Sequence, residues 1–172
     1  YMNVNKLPAA HYRQMETIAL NTLNLIGADR IFTGFGDFSG SYGGNGIRID
    51  GFTVNVAGLF QHNAGPRKYI RVSSGTMDFS GEMFAGSLCG TNNGTIVACF
   101  NEARLANGDG TIGGICGLNH MDGQIIACLN TGTVLQGTNV GGIAGENRNT
   151  SDGAIRACVN TVMLNPAAPM LG

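Results

Sequence analysis

The sequence is poor in charge. Only 12% of its 172 residues are Asp, Glu, Lys or Arg, about half the usual share of roughly 25%. With 43% hydrophobic residues, that excludes a charged disordered tail. Ten Lys and Arg stand against eleven Asp and Glu, for a net charge of -1. Arg67, Lys68 and Arg71 form the one local basic cluster, so nucleic acid is not an expected partner. No apolar run approaches the roughly 20 residues of a membrane-crossing helix, and membrane insertion by this segment is not expected. Four prolines and no G-X-Y period exclude collagen. The five cysteines, Cys89, Cys99, Cys116, Cys128 and Cys158, contain no C-x-x-C pair, which weakens zinc-ribbon and redox readings.

What is abundant is glycine, 28 residues, and much of it recurs at fixed intervals. Three segments align: one from Gly86 to Asn101, one from Gly114 to Asn130 and one from Gly142 to Asn160. Their shared columns are Gly90, Gly117 and Gly145; Ile96, Ile125 and Ile155; Cys99, Cys128 and Cys158; Asn101, Asn130 and Asn160. Leu105, Val134 and Leu164 form an apolar column four residues on, and Leu88, Ile115 and Ile143 precede the glycines. A looser copy starts at Gly58. The glycine column steps by 27 and 28 residues, and the isoleucine column by 29 and 30.

Short apolar runs cut by glycine suit strands, since each interior Gly costs a helix roughly 1 kcal/mol against Ala. A propeller blade needs about 40 residues. The period therefore predicts an all-β chain: a short parallel β-solenoid, right-handed because right-handed crossovers predominate, with Gly and Asn at its corners. Coils about 4.8 Å apart turn each column into a ladder of like side chains. Strict alternation from Ile96 would expose the cysteines along with the Val97, Ile126 and Arg156 column. A bend between Ile and Cys turns both inward, and that geometry is expected because Cys is among the most buried residue types. Ile96, Ile125, Ile155, Leu88, Ile115 and Ile143 are expected in the core, and the cysteines as a buried ladder of free thiols.

Residues 1–30 are expected to form an N-terminal capping segment, read either as a helix over Leu7 to Ile26 or as a turn followed by a strand at Thr17 to Leu20. The solenoid is expected over 31–165, with repeats at about 58–81, 82–107, 108–136 and 137–165. Residues 166–172 are expected to be a tail or a link to a further domain. Gly44-Asn45-Gly46 marks a turn, and Ile47 and Ile49 alternating with Arg48 and Asp50 mark a strand.

The segments Gly114-Ile-Cys-Gly-Leu-Asn119 and Gly142-Ile-Ala-Gly-Glu-Asn147 are each followed by Gly-x-Ile and Cys-x-Asn. They resemble the GLUG-motif repeats of bacterial surface proteins, including adhesin-like proteins of gut Bacteroidetes and IgA-peptidase-like proteins. The stretch from Phe38 to Phe52 is similar to the lead-in of those repeats, with Gly43 where the family often has Asp. The resemblance implies a non-catalytic structural or adhesive module of a bacterial surface or secreted protein, located at the cell surface or outside the cell. It implies flanking domains of the same chain and a host protein or glycan as partner. The family carries no catalytic set, so no functional residue, metal ligand or cofactor contact transfers.

The residues themselves offer little rival chemistry. Gly108-Asp-Gly-Thr-Ile-Gly113 fits G-x-G-x-x-G, but a dinucleotide needs a strand before it and a helix after it, and here a turn-rich strand follows. Gly43 to Arg48 resembles a calcium nonapeptide with Arg48 in place of the liganding Asp. His11, His62 and His120 have no ligand spacing. The alternative function is a β-helix carbohydrate-active enzyme, or a fragment of a surface peptidase. Such an enzyme would cluster acids on one face, whereas Asp109, Asp122 and Asp152 fall at non-equivalent or turn positions, and Glu102 and Glu146 each occur in one copy. Thr131 and Thr133 are too isolated for an ice-binding ladder.

Overall fold

A computed structural model of the chain describes residues 7–20, 35–55, 57–149, 154–162 and 164. Among them there is no α-helix, and the strands stack in parallel as a β-solenoid. Two sheets run six strands deep. The first, face I, contains His11–Arg13, Ser41–Gly43, Pro66–Lys68, Thr95–Val97, Gln124–Ile126 and Ile155–Arg156. Face II contains Ile18–Ala19, Arg48–Asp50, Arg71–Val72, Phe100–Asn101, Leu129–Asn130 and Val159–Asn160. Face III has five strands, Phe35–Phe38, Phe60–Asn63, Cys89–Asn92, Cys116–Asn119 and Ala144–Asn147. Two three-stranded sheets complete the wall: Phe52–Asn55 with Gly75–Asp78 and Arg104–Ala106, and Phe84–Gly86 with Thr111–Gly113 and Asn139–Gly141.

The coil path follows from the repeat. A strand ending in Asn closes face III, the chain turns into face I, bends, and enters face II. The bend sits between the Ile and Cys columns, where Ala98, Ala127 and Ala157 hold φ of 50°, 52° and 53°. A left-handed residue reverses the side-chain alternation, so Ile96, Cys99, Ile125 and Cys128 all lie inside. Ile96, Ile125 and Ile155 stack in register. The Leu88, Ile115 and Ile143 column is tied by amide bonds from Leu88 to the Ile115 carbonyl and from Ile115 to the Ile143 carbonyl. Ile143, Ile155, Cys158 and Leu164, in the last coil, are only partly buried.

The glycine column has a packing reason. A Cβ on Gly117 would collide with the backbone of Ala85, and one on Gly145 would come within 2.8 Å of Ile112 backbone atoms. Face III therefore meets the neighbouring sheet where no side chain fits.

The N-terminal segment departs from the expected boundary. His11–Arg13 pairs with Ser41–Gly43, and Ile18–Ala19 pairs with Ile49 and Asp50. Residues 7–20 thus build the first turn of the solenoid, in the strand form of the two readings. The remainder of the helical reading, residues 21–26, lies outside the described residues, as do 166–172. Over residues 7–20, propensity for a helix lost to pairing with the next coil.

One core position breaks the pattern of like residues. Arg67 occupies the isoleucine column, in register with Ile96 and Tyr42, and is 0% exposed. Its guanidinium carbon lies 4.3 Å from the Phe38 ring centroid and 4.4 Å from that of Phe60. Nη1 donates to the Gly40 and Pro66 carbonyls and Nη2 to the Phe38 carbonyl, while Nε has no partner. Burial lowers its pKa to about 10, a cost of roughly 3 kcal/mol at neutral pH. Isoleucine here would remove that cost and retain volume; alanine would leave a void beside two rings. Arg67→Ala is expected to be less stable than Arg67→Ile by about 2–5 kcal/mol. Urea unfolding of the pair measures this, and equal stabilities would mean that Arg67 fills no space the core needs.

Candidate functional site

Five of the nine buried polar residues are asparagines, and these belong to two ladders. The expected one runs from Asn101 to Asn130 to Asn160, each Nδ2 donating to the next Oδ1 at 2.8 Å. The second runs from Asn63 to Asn92 to Asn119 to Asn147, at 2.7, 2.8 and 2.9 Å. Each Oδ1 also accepts the amide two residues on at Asn63, Asn92, Asn101 and Asn130. That local bond closes the corner as an Asx turn. The second ladder was legible in the aligned segments, where Asn92, Asn119 and Asn147 each stand two residues after the column glycine.

Thiols form two further stacks. Cys99, Cys128 and Cys158 follow the bend in successive coils, and each Sγ donates to the carbonyl two residues back, at 3.4, 3.4 and 3.3 Å. Cys89 pairs in register with Cys116, a stack the sequence reading did not single out. All five are free thiols. Cys99 and Cys128 are buried, whereas Cys158 is only half-buried, so the expected ladder is incomplete at the last coil. Burial, then the neighbouring Cys89, pushes the Cys116 thiol up. For Cys128 the bond with Cys158 pulls downward, but the bond with Cys99 and burial outweigh it and leave the thiol at about 12. Cys158 is raised by its bond with Cys128 and then by burial.

Outside, the titratable groups stand apart. Among the described residues no three His, Cys, Asp or Glu side chains gather where they could hold a metal ion. His62 Nδ1 lies 2.6 Å from Asp37 Oδ1, with 61% and 87% of the two side chains exposed. Both pair in register with their coil neighbours, and Thr91 continues that column. Glu82 and Gln61 line a depression of about 230 Å³ beside His62. Glu102 is tied to Arg71 at 2.8 Å and Glu146 to Arg148 at 2.6 Å. Asp109 and Asp122 lie exposed in turns, and Asp152 falls outside the described residues.

A concavity of about 500 Å³ opens on face I across its first three strands. Arg13, Gly43 and Lys68 are in register there, so two cations flank a residue with no side chain. Asn45 and Tyr69 border the groove, and none of the described acidic residues lines it. Arg13 Nη2 donates to Asn45 Oδ1 at 3.3 Å. The ion pairs of the described residues use Arg48, His62, Arg71 and Arg148, not Arg13 or Lys68.

Asn119→Ala removes the acceptor of Asn92 and the donor to Asn147 and to the Gly123 carbonyl. A stability loss of roughly 2–5 kcal/mol is expected, against less than about 0.5 for the exposed neighbour Asn93→Ala. Chemical denaturation of both variants checks it; matching small losses would show the ladder to be dispensable. Thiol labelling at neutral pH should reach Cys158 first and the other four only in denaturant. A folded pKa above the unfolded value stabilises fully below the ordinary thiol pKa and loses that contribution as pH rises through the folded one. From the 9.0 to about 12 shift at Cys128, its share of the stability lost between pH 8 and pH 11 is about 2–3 kcal/mol. Cys128→Val should show that much less alkaline loss; an unchanged loss would place the thiolate in water.

No protein-family model, curated protein or solved structure matches this chain, so the geometry is what bears on function.

Proposed function

We propose that the chain is a non-catalytic structural or adhesive module of a bacterial surface or secreted protein. The observation that carries this reading is the division of polar groups. Inside, the asparagines are consumed by stacking from coil to coil, while Arg67 spends its guanidinium on backbone carbonyls. Outside, parallel sheets present long faces whose charges stand singly or in isolated pairs. Such a wall suits spacing and display better than turnover, which needs convergent groups of matched pKa. The GLUG-like segments around Gly117 and Gly145 support the same role and its extracellular setting, with a host protein or glycan as partner and further domains of the same chain on either side. No helix among the described residues is long and apolar enough to cross a membrane.

The enzymatic alternative has one observation in its favour, the His62 and Asp37 pair beside Glu82. Beads coated with the protein should adhere to mucin and to epithelial cells above albumin-coated beads. Adhesion no higher than the albumin control would sink the adhesive reading. Release of new reducing or unsaturated ends from host or plant polysaccharide, lost in His62→Ala, would replace it with the enzyme.

A further inference from the structure

Tyr69 is the anomaly on the outer surface. It occupies the left-handed bend between faces I and II, with φ of 55°. The same bend in the next three coils holds Ala98, Ala127 and Ala157. Its amide donates to the Val97 carbonyl just as that of Ala98 donates to Ile126 and that of Ala127 to Arg156. A bulky residue at positive φ is uncommon and costs on the order of 1 kcal/mol or more. Nothing in the core repays it, since the side chain is 55% exposed. Tyr69 forms a ridge between two depressions: the groove of about 500 Å³ holding Arg13 and Lys68, and one of about 260 Å³ that includes Phe100, itself 39% exposed.

We propose that this surface binds a carboxylate-bearing oligosaccharide, with Tyr69 stacked on a sugar ring and Arg13 and Lys68 holding the carboxylate. The inference gives a ligand class to the adhesive reading and rests on it. A sugar ring has an apolar C–H face and a polar rim, which matches an aromatic plate flanked by hydrogen-bonding groups. Arg13 and Lys68 sit two strand spacings apart, roughly 9.6 Å, and Gly43 between them leaves room for the anion. Asn45 steers the Arg13 guanidinium and leaves other N–H groups for a carboxylate, whose two oxygens fit the arginine fork. Among the described residues no acid lines the groove and neither cation has an ion pair, so an anionic ligand is selected. In later coils the cation column becomes Val97 and Ile126, so the site is confined to one end of face I. Two cations are too few to bind nucleic acid through its phosphates. Ser41–Gly43 and Pro66–Lys68 are each paired on both sides, so a peptide adding as a strand has an edge only beside His11–Arg13, two strand spacings from Lys68.

The test is calorimetric titration of the whole chain with hyaluronan, oligogalacturonate and sialyllactose, beside their carboxyl-reduced forms and an oligoglutamate peptide. At least one of the three acidic glycans should bind, its affinity falling with salt and upon carboxyl reduction. Tyr69→Ala and Lys68→Ala should each weaken it about tenfold or more, while Arg156→Ala, at the far end of face I, leaves it unchanged. Tyr69→Ala installs the residue of the next three bends, and its thermal unfolding should match or exceed the parent, so lost binding would not reflect lost folding. The inference is overturned by no binding of any acidic glycan, by equal binding of the reduced forms, by unaltered affinity in both groove variants, or by equal affinity for oligoglutamate. Beads that still adhere to cells under any of these outcomes would leave the adhesive reading standing without this site.

Discussion

The asparagine side chain at the corner is the interaction on which the rest of the solenoid depends. One carboxamide does two jobs at once. Its oxygen accepts an amide two residues along its own coil, and its nitrogen donates to the carboxamide of the next coil. The first bond sets the turn and the second sets the register. A one-residue slip between adjacent coils would break the second, and would leave buried polar groups unpaired at about 1–3 kcal/mol each. With Asn92 and Asn101 each fixed this way, everything between the two ladders is forced to stack like on like. The isoleucine and cysteine columns are therefore consequences of the ladders as much as of their own burial.

Length variation is tolerated where it touches neither ladder. From the isoleucine column to the second asparagine the distance is five residues in every copy, from Ile96 to Asn101, Ile125 to Asn130 and Ile155 to Asn160. From the column glycine to the first asparagine it is always two. Between the first asparagine and the isoleucine it grows: four residues from Asn92 to Ile96, six from Asn119 to Ile125, eight from Asn147 to Ile155. That corner is the place where the isoleucine column drifts against the glycine column. Between Asn119 and Ile125 it lies at the surface, with Met121 exposed and at φ of 51°, so the extra residues of that copy extend into solvent without disturbing a rung.

The repeat made the parallel coil, the inward bend and most of the core legible in advance, because each depends on a residue recurring at one position. The bend could be placed between Ile125 and Cys128 only because Arg156 in the adjacent column had to face water. Singular features were not legible by that route. Arg67 read as part of a local basic cluster with Lys68 and Arg71, yet it alone is buried, since two phenylalanine faces, two carbonyls of the preceding coil and the Pro66 carbonyl receive it. Nothing local distinguishes it from Lys68; register does, placing Arg67 against Ile96 and Lys68 against Val97. Had the coil from Pro66 been aligned with its neighbours, the alternation would have assigned the two cations to opposite sides of the wall. Similarly, the first turn at His11–Arg13 has no repeat signature, and only pairing with Ser41–Gly43 reveals it.

The same register logic separates what stability needs from what function can use. An interior column changes residue type at a cost, because each rung contacts the rungs above and below. Arg67 is the visible case, with a depressed pKa and a donor left unpaired. An exterior column carries no such coupling: the outward series on face I passes from Arg13 through Gly43 and Lys68 to Val97, Ile126 and Arg156 without altering the strand pairing. Chemistry on the outside is thus free to vary from coil to coil on an invariant frame. A departure there that carries its own backbone cost, as Tyr69 does at a bend that the next three coils hold with alanine, is a stronger pointer to recognition than any exposed charge, since the frame gives no reason for it.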